Sequence, residues 1–417
     1  MQAFFPLDDE LALLPGTLTP SLQEDLVRLG TWMPFERASQ ELRHFRQATV
    51  SRPTVERLTE AAGAAYVAVQ TAEVQRIERE LPPPPAGPAT QFLSVDGAMV
   101  PLVGGQWAEV KTLVIGEVQP GQVVAGEPVV RTTQLSYFSR LAEAQVFQRL
   151  ALVETQRRGV ETARLVAAVT DGSEWCQKFV DHHRPDAVRV LDFPHAGEHL
   201  NAVGQAAFGE ASPQAQQWLA QQLHQLKHAG PQAVLLEVRR RVADCPEQIA
   251  GELAYLEKRQ AHMDYPAYRA LGLPIGDGAV ESGNKLVVEA RLKGSGMHWA
   301  RPHVDAMLAL RNVVCSDRWE EAWPQISQQL RQALRQHRLA QRRQRIQNAA
   351  GRAAAPPPAP IAARLTDSTQ AQPAPGMPPA TTAVTGPRRP SPNHPWRRMP
   401  IGRARFKAPL TEDAAKT

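Results

Sequence analysis

Two apolar runs in this chain end the same way, LSVDG closing on Asp96–Gly97 and LVAAVTDG on Asp171–Gly172. Short apolar runs that stop at a glycine have the length and punctuation of buried strands. An aspartate at the tip of such a strand is a poor choice for stability. Carboxylates are rarely buried without a partner, and several brought together repel unless a cation joins them. A third acidic residue, Glu281 in GAVES, opens an amphipathic run that continues NKLVVEARLKGSGMHW. Two aspartates and a glutamate placed this way suit a two-magnesium site for phosphodiester chemistry.

The elements around these strings set the fold class. Gln91–Val95 reads as a strand, and Met99–Val103, the Gly104–Gly105 turn and Glu109–Val118 read as an antiparallel hairpin. Phe138–Arg158 reads as a helix with Leu141, Ala144, Phe147, Leu150 and Ala151 on one face. Arg164–Thr170 is then expected as a strand, Glu174–His183 as a helix, and Ala187–Leu191 as a strand reaching Asp192, before a helix over His195–Phe208. Antiparallel strands first, then parallel strands joined by helices, is the order of an α/β, ribonuclease H-like mixed-sheet core. The carboxyl ends of neighbouring strands in such a sheet gather side chains in one crevice. Asp96 and Asp171 can meet there.

The expected organisation has six parts. Residues 1–81 are helical, with Leu22, Leu26, Leu29 and Trp32 at helical spacing and a second helix capped by Ser51. The pair has helix-turn-helix proportions and would offer Arg52, Thr54, Arg57 and Glu60 to a DNA groove, although most short helix pairs merely pack. PPPPAGP makes residues 82–90 a proline-rich linker. Residues 91–210 and 275–330 form the core, interrupted at 211–274 by an all-helical insertion that returns Glu281 to the aspartates. A basic helix follows at 331–350, then a Pro/Ala-rich basic tail at 351–417 that cannot build a core and is expected to be disordered. Within it HPWRRMPIGRARFK is an aromatic–arginine cluster, read either as a phosphate or partner grip or as incidental charge.

Charge is unevenly placed. Residues 331–417 hold 16 Lys/Arg against 3 Asp/Glu, although the whole chain is only +5. General affinity for a polyanion is therefore expected mainly from this arm, the alternative being a solubilising tail. With 417 residues, 43% of them hydrophobic, the chain can bury a sizeable core. It has no apolar stretch of about eighteen residues and no basic-then-apolar order at its start, so neither a membrane helix nor a signal peptide is expected. Cys176, Cys245 and Cys315 lack CxxC spacing, which fits a reducing cytoplasm rather than a zinc or disulfide framework.

Around the acidic triad several side chains carry two readings. Lys285 stands four residues after Glu281, and such a pair is often a solvated helix couple. The preferred reading is a metal ligand with a phosphate-facing lysine, and Arg291 and Lys293 near the same edge extend that DNA-facing set. His195 and His199 have an i,i+4 spacing that also suits zinc, but no third ligand is evident, so packing or an active-site hydrogen bond is preferred. His298 is placed near the site, Trp299 at DNA or in the core. Trp319 and Trp323 read as packing.

FLSVDGAMVPL, WAEVKTLVIGEV, VTDGSEW, DFPHAGEHL, GAVESGNKLVVEARLKGSGMHW and the N-terminal LVRLGTWMPFERAS together resemble bacterial insertion-sequence transposases of the ISKra type, distant relatives of the Mutator superfamily. The likeness runs from about residue 4 to residue 325. It implies a DDE transposase with Asp96, Asp171 and Glu281 as triad, and Asp192 and His195 match the D-x-x-H motif that Mutator-like enzymes carry after the second aspartate. It further implies an N-terminal region that recognises the terminal inverted repeats. Related transposases often carry cysteine pairs ahead of the FFPLDDELALLPG segment. None stands here, which bears on end recognition more than on chemistry.

The function expected from these strings is two-metal DNA cleavage and strand transfer, with two Mg2+ (or Mn2+) ions, Asp96 bridging and Asp171 and Glu281 each holding one. The partners expected are double-stranded DNA, as terminal repeats and target, and a second copy of the chain, because two ends must be held together. The alternatives are a catalytically inactive, transposase-derived DNA-binding protein and a ribonuclease H-like nuclease without strand transfer. The expected location is the bacterial cytoplasm, at the nucleoid.

Overall fold

The computed structural model describes residues 13–354, apart from residues 120, 125–126 and 243–245. The readings of FFPLDDE, of Cys245 and of the tail from residue 355, HPWRRMPIGRARFK included, lie outside the described residues.

Alternating apolar side chains build a mixed sheet that is covered on both faces. The chain passes through β1 (Thr90–Pro101), β2 (Trp107–Val118), a small ribbon of β3 (Gln122–Val124) and β4 (Glu127–Val129), then β5 (Thr132–Arg140), β6 (Leu165–Thr170) and β7 (Val188–Leu191). The large sheet has the order β5-β2-β1-β6-β7. β2 is antiparallel to both β1 and β5, whereas β6 is parallel to both β1 and β7. On one face Leu93, Val95, Leu113, Ile115, Phe138, Val166 and Ala168 are buried against Phe147, Phe179 and Val180. On the other, Phe92, Val114, Tyr137, Ala167, Val169 and Val190 join a larger cluster. The period of two is what a central sheet requires, and each fully buried large apolar side chain contributes on the order of 1.5–3 kcal/mol.

Two expectations change here. The strand predicted over Gln91–Val95 and the one over Met99–Val103 are one continuous β1, with Asp96 inside it. The helix predicted over Phe138–Arg158 begins only at Ala144, because Thr132–Arg140 is β5. Tyr137 and Phe138 bury their rings on opposite faces of the sheet, a two-residue period that overrides the helical spacing of the residues after them.

Helices α4 (Ala144–Leu150), α5 (Leu152–Arg157) and α6 (Glu174–His183) supply the first face. After β7 comes α7 (Phe193–Phe208), then α8 (Pro213–Ala229), α9 (Pro231–Val242), α10 (Pro246–Lys258) and α11 (Tyr265–Ala270). α8, α9 and α10 each begin at a proline, where the missing N–H costs nothing. Among the described residues of the stretch predicted as a helical insertion, the regular elements are all helices, joined by short turns. α12 (Gly278–Gly283) follows and runs on through a π-helical stretch, Asn284–Glu289, and one turn at Ala290–Leu292. α13 (Arg301–Cys315) and α14 (Trp319–Ala354) end the described chain. No helix among the described residues is long and apolar enough to cross a membrane.

The N-terminal helices α1 (Pro20–Trp32) and α3 (Arg52–Glu80) pack against α13, α2 (Phe35–Arg46) packs on both of them, and all three belong to the same compact unit as the sheet, through Ala353. The proline-rich stretch is strapped down rather than loose. Gln156 donates to the Pro82 carbonyl, and the Thr162 hydroxyl bonds both the Pro85 carbonyl and the Gly87 N–H.

Two buried arginines tie α1 to the core. Arg291 is 2% exposed, donates twice to the Gly30 carbonyl at 3.1 Å, and lies against the rings of Phe35 and Trp299, which meet edge-on. Arg311, 1% exposed, bonds the Thr31, Leu286 and Val287 carbonyls. Both satisfy carbonyls that a helix end leaves without partners. Burial lowers the Arg291 guanidinium to about 10, with the Arg311 charge adding to it. The expectation that Arg291 faces DNA is therefore corrected: its guanidinium points inward because the last carbonyls of α1 and two aromatic rings need it.

Arg291→Ala removes two charged hydrogen bonds and two ring contacts, so it is expected to destabilise the fold by about 2–4 kcal/mol. Lys293→Ala, which breaks only a partly exposed pair with Glu289, is expected to cost no more than about 0.5 kcal/mol. Urea midpoints of the two variants against the parent check the contrast.

Candidate active site

Strand register alone brings three acidic residues abreast. β1 and β6 pair from Thr90↔Leu165 to Leu93↔Ala168, and continuing that register sets Asp96 level with Asp171. β6 and β7 pair up to Thr170↔Leu191, which sets Asp171 level with Asp192. Asp96 shares the parity of Phe92, Asp171 that of Ala167 and Val169, and Asp192 that of Val190, and all four of these apolar residues lie on one face. The aspartates thus collect on one side of the sheet, near the carboxyl ends of β6 and β7. α12 packs across that side.

Each aspartate is held differently. Asp96 accepts from the Asn284 side-chain amide at 2.8 Å. Burial raises its carboxyl above the usual range and the Asp171 charge adds to this, while the Gly97 N–H and Asn284 oppose it. Asp171 accepts from the Ser173 N–H at 2.9 Å, its Oδ1 closing a turn. The next residue, Gly172, has φ +76°, and a Cβ there would lie 2.5 Å from the Arg259 side chain. The glycine of the VTDG string is needed for both reasons. Asp192 caps α7, accepting from the His195 N–H at 2.8 Å, and also accepts from the Asp277 N–H at 2.8 Å. That bond sets the start of α12.

Asp277, absent from the sequence expectations, is a fourth carboxylate in this cluster. Burial, then the charges of Asp192, Asp96 and Asp171, push its carboxyl up to about 8, and it shares a hydrogen bond with the Asp192 side chain. A protonated Asp277 donating to an ionised Asp192 is the arrangement that like charges in a half-buried site select. The signal available in the sequence was its position, four residues before Glu281 and hence one turn away.

Glu281 lies between Asp277 and Asn284 on the same helix edge, but its side chain is 65% exposed and paired with Lys285. Here the solvated-couple reading describes the conformation, and Lys285 is equally open at 65%. Gly283 explains how close the helix sits: a Cβ there would stand 3.0 Å from both Val114 and the Tyr137 ring. That contact presents Asn284 to Asp96.

The donors that converge are hard oxygens. Asn284 Oδ1 is buried without a partner beside Asp96, its orientation set by the bond from Nδ2. An unsatisfied amide oxygen beside the Asp96 carboxylate is a hard donor of the kind that divalent cations take. Among the described residues no three His, Cys, Asp or Glu side chains are grouped so as to hold an ion as they stand.

The insertion supports the second aspartate through its backbone. Tyr255 of α10 donates its hydroxyl to the Asp171 carbonyl, and Arg259 donates to the Gly172 carbonyl at 2.9 Å. Arg259 stacks on Tyr255 at 3.5 Å, and Tyr255 stacks on His199 at 3.7 Å. His199 in turn bonds Glu252 at 2.5 Å. The packing reading of His195 and His199 thus describes them, with His195 edge-on to His199 and 3.3 Å from Glu198.

The remaining expected residues sit elsewhere. His298 is exposed in a groove of about 570 Å³ with Phe35, Arg52 and Met297. Its neighbour Trp299 bridges Leu102, six residues past Asp96 on the β1 side, so strand rise places His298 on the order of 20 Å from the aspartates. The expectation that His298 adjoins the site is corrected, because the GSGM turn carries it to the N-terminal helices. Arg52 pairs with Glu56 at 3.6 Å, Thr54 bonds the Ser51 hydroxyl at 3.0 Å, and Arg57 is exposed. Glu60 pairs with His303 at 2.6 Å and not with solvent alone. Trp319 and Trp323 stack at 5.5 Å inside the core, as expected.

The pH dependence of stability follows from Asp277. Its folded pKa of about 8 lies above the ordinary value of 3.8. The folded state therefore holds the proton more tightly, and the stability this supplies is complete below about pH 4 and lost as pH rises towards 8. Asp277→Asn is expected to keep the hydrogen bond without the titration. Melting curves recorded in a chelator at pH 5 and pH 8 should show the parent losing at least about 1 kcal/mol relative to the variant, roughly 2–4 °C. No protein-family model matches this chain, and no curated protein matches it.

Proposed function

We propose that this chain is a DDE transposase of the ISKra type, with a ribonuclease H-like core that cleaves DNA strands and joins them to a target. The observation that carries the reading is the set of Asp96, Asp171 and Asp192 abreast on one face, with the helix of Glu281 laid across them. The strand order β5-β2-β1-β6-β7, antiparallel then parallel, supports the core assignment. So does the helical insertion before Glu281.

In this reading Asp96 and Asp171 would hold a divalent cation, with Asn284 Oδ1 near Asp96 as a further oxygen donor. Glu281, on the helix that lies across them, would join the set on leaving its pair with Lys285. Lys285 is then released towards a phosphate. Two divalent cations would supply charge neutralisation for attack on an anionic phosphorus and for the departing oxygen. The chain's own contribution is positioning. Tyr255 and Arg259 hold the Asp171–Gly172 turn by its carbonyls, so the second aspartate does not drift when charge enters the site. The Asp192–Asp277 pair fixes where α12 begins, and hence the height of Glu281 above the sheet. Double-stranded DNA, a second copy of the chain, and Mg2+ or Mn2+ are the partners this function requires.

The test is a cleavage and strand-transfer assay with candidate element ends, with and without Mg2+. Asp96→Ala, Asp171→Ala and Glu281→Gln are each expected to lower both steps by at least about 1,000-fold while DNA binding changes less than about threefold. Cleavage without joining would favour the nuclease reading. An Asp96→Ala protein that still cut and joined ends would refute the assignment.

A further inference from the structure

α14 is a 36-residue helix of which only the first part packs. Trp319, Ala322, Trp323, Ile326 and Leu330 are buried, whereas residues 335–348 are exposed throughout. Over that outer half the sequence is RQALRQHRLAQRRQRIQN, and no Asp or Glu occurs between Glu321 and Asp367. Arg331, Arg335, Arg338, Arg342 and Arg345 recur at alternating steps of four and three. At 100° per residue these five fall within an arc of about 80°, in a line roughly 21 Å long.

Such a stripe works against its own helix. Like charges three and four residues apart destabilise by roughly 0.2–0.5 kcal/mol per pair, and no acidic residue stands at those spacings to offset it. Arg331, Arg335 and Arg338 border a groove with Leu13–Thr19, whereas Arg342 and Arg345 stand on the exposed outer turns. Leu339 and Ile346, 53% and 59% exposed, stand beside the stripe with Arg342 and Arg343 between them, so they make no continuous apolar seam. A linear polyanion complements a row of this length, and duplex DNA carries one charge per about 1.7 Å of its axis.

Resting on the DNA-processing function proposed above, we infer that the outer half of α14 is a phosphate-binding arm that lies along the backbone of duplex DNA through this arginine stripe. Guanidinium groups in a row suit phosphate oxygens and carry no base sequence information, so the arm would add affinity and register without specificity. It is a different surface from the carboxylate face and from the exposed start of α3.

The test uses the full chain and a fluorescein-labelled duplex of about 30 base pairs of arbitrary sequence, with anisotropy titrations between 50 and 300 mM salt. Replacing the five stripe arginines with glutamine is expected to reduce the slope of log affinity against log salt by about 4, and to weaken binding at least about 100-fold at 0.1 M salt. The five-lysine variant is expected to retain most of the slope. Arg343→Gln, off the stripe, is expected to change it by no more than about 1. Circular dichroism melting establishes that each variant is folded. An unchanged slope in a folded five-glutamine variant that still binds DNA would overturn the arm and leave the transposase reading intact. Equal loss in the lysine variant would overturn it too, as would a stripe-dependent slope seen with duplex RNA and not with DNA. Asp96→Ala that still cuts would overturn the catalytic reading while leaving the arm's slope as it is.

Discussion

Lateral register between β1, β6 and β7 is the constraint from which the rest of the site follows. Once Leu93 is opposite Ala168 and Thr170 opposite Leu191, three aspartates that are remote in sequence have no choice but to share a face. A slip of one residue would send each to the opposite side of the sheet. The apolar neighbours prevent such a slip, because Phe92, Ala167, Val169 and Val190 would then exchange places with residues packed against Phe147 and Phe179. Core packing thus holds together charges that would otherwise separate.

That concentration of charge is met by protonation and hydrogen bonds rather than by cations from the chain, and the orphan Asn284 oxygen adds to it. Burial and the neighbouring carboxylates raise the Asp277 carboxyl, which bonds Asp192, Asn284 donates to Asp96, and backbone N–H groups serve Asp171 and Asp192. Lys111, the cation nearest to Asp96 along the paired strand, is committed to Glu109 at 2.5 Å and lies over Trp175. A site built this way has oxygen donors in surplus. The buried basic groups Arg291 and Arg311 are used elsewhere, to fasten α1 onto the helices behind α12, so the N-terminal helices and the site helix share one support.

Much of this was legible beforehand. The strings LSVDG and VTDG read as strand ends because a run of apolar residues closed by a glycine has few other solutions, and α6 matches its expected limits because its apolar spacing is undisturbed. Asp192 was visible as a strand end too, though its duty as a cap for α7 and an anchor for Asp277 was not. β5 was hidden, since YFSR precedes a strongly helical pattern and only pairing with β2 makes it a strand. Arg291 misled for a related reason. A basic residue on a charged helix looks solvent-facing until the carbonyls of Gly30 and two aromatic rings from distant segments surround it.

What the sequence determined by itself was local: strand tips that carry acid, a helical insertion with prolines at its helix starts, and a basic run without compensating carboxylates. Those depend on periodicity and on near neighbours. The tertiary structure alone decided which carboxylates meet. Asp277 joins the aspartates and Glu281 pairs outward with Lys285, although one turn of helix separates the two. The physical reason is that helix spacing specifies a shared edge, whereas the direction of each side chain depends on the depth at which the helix packs, and Gly283 against Tyr137 sets that depth.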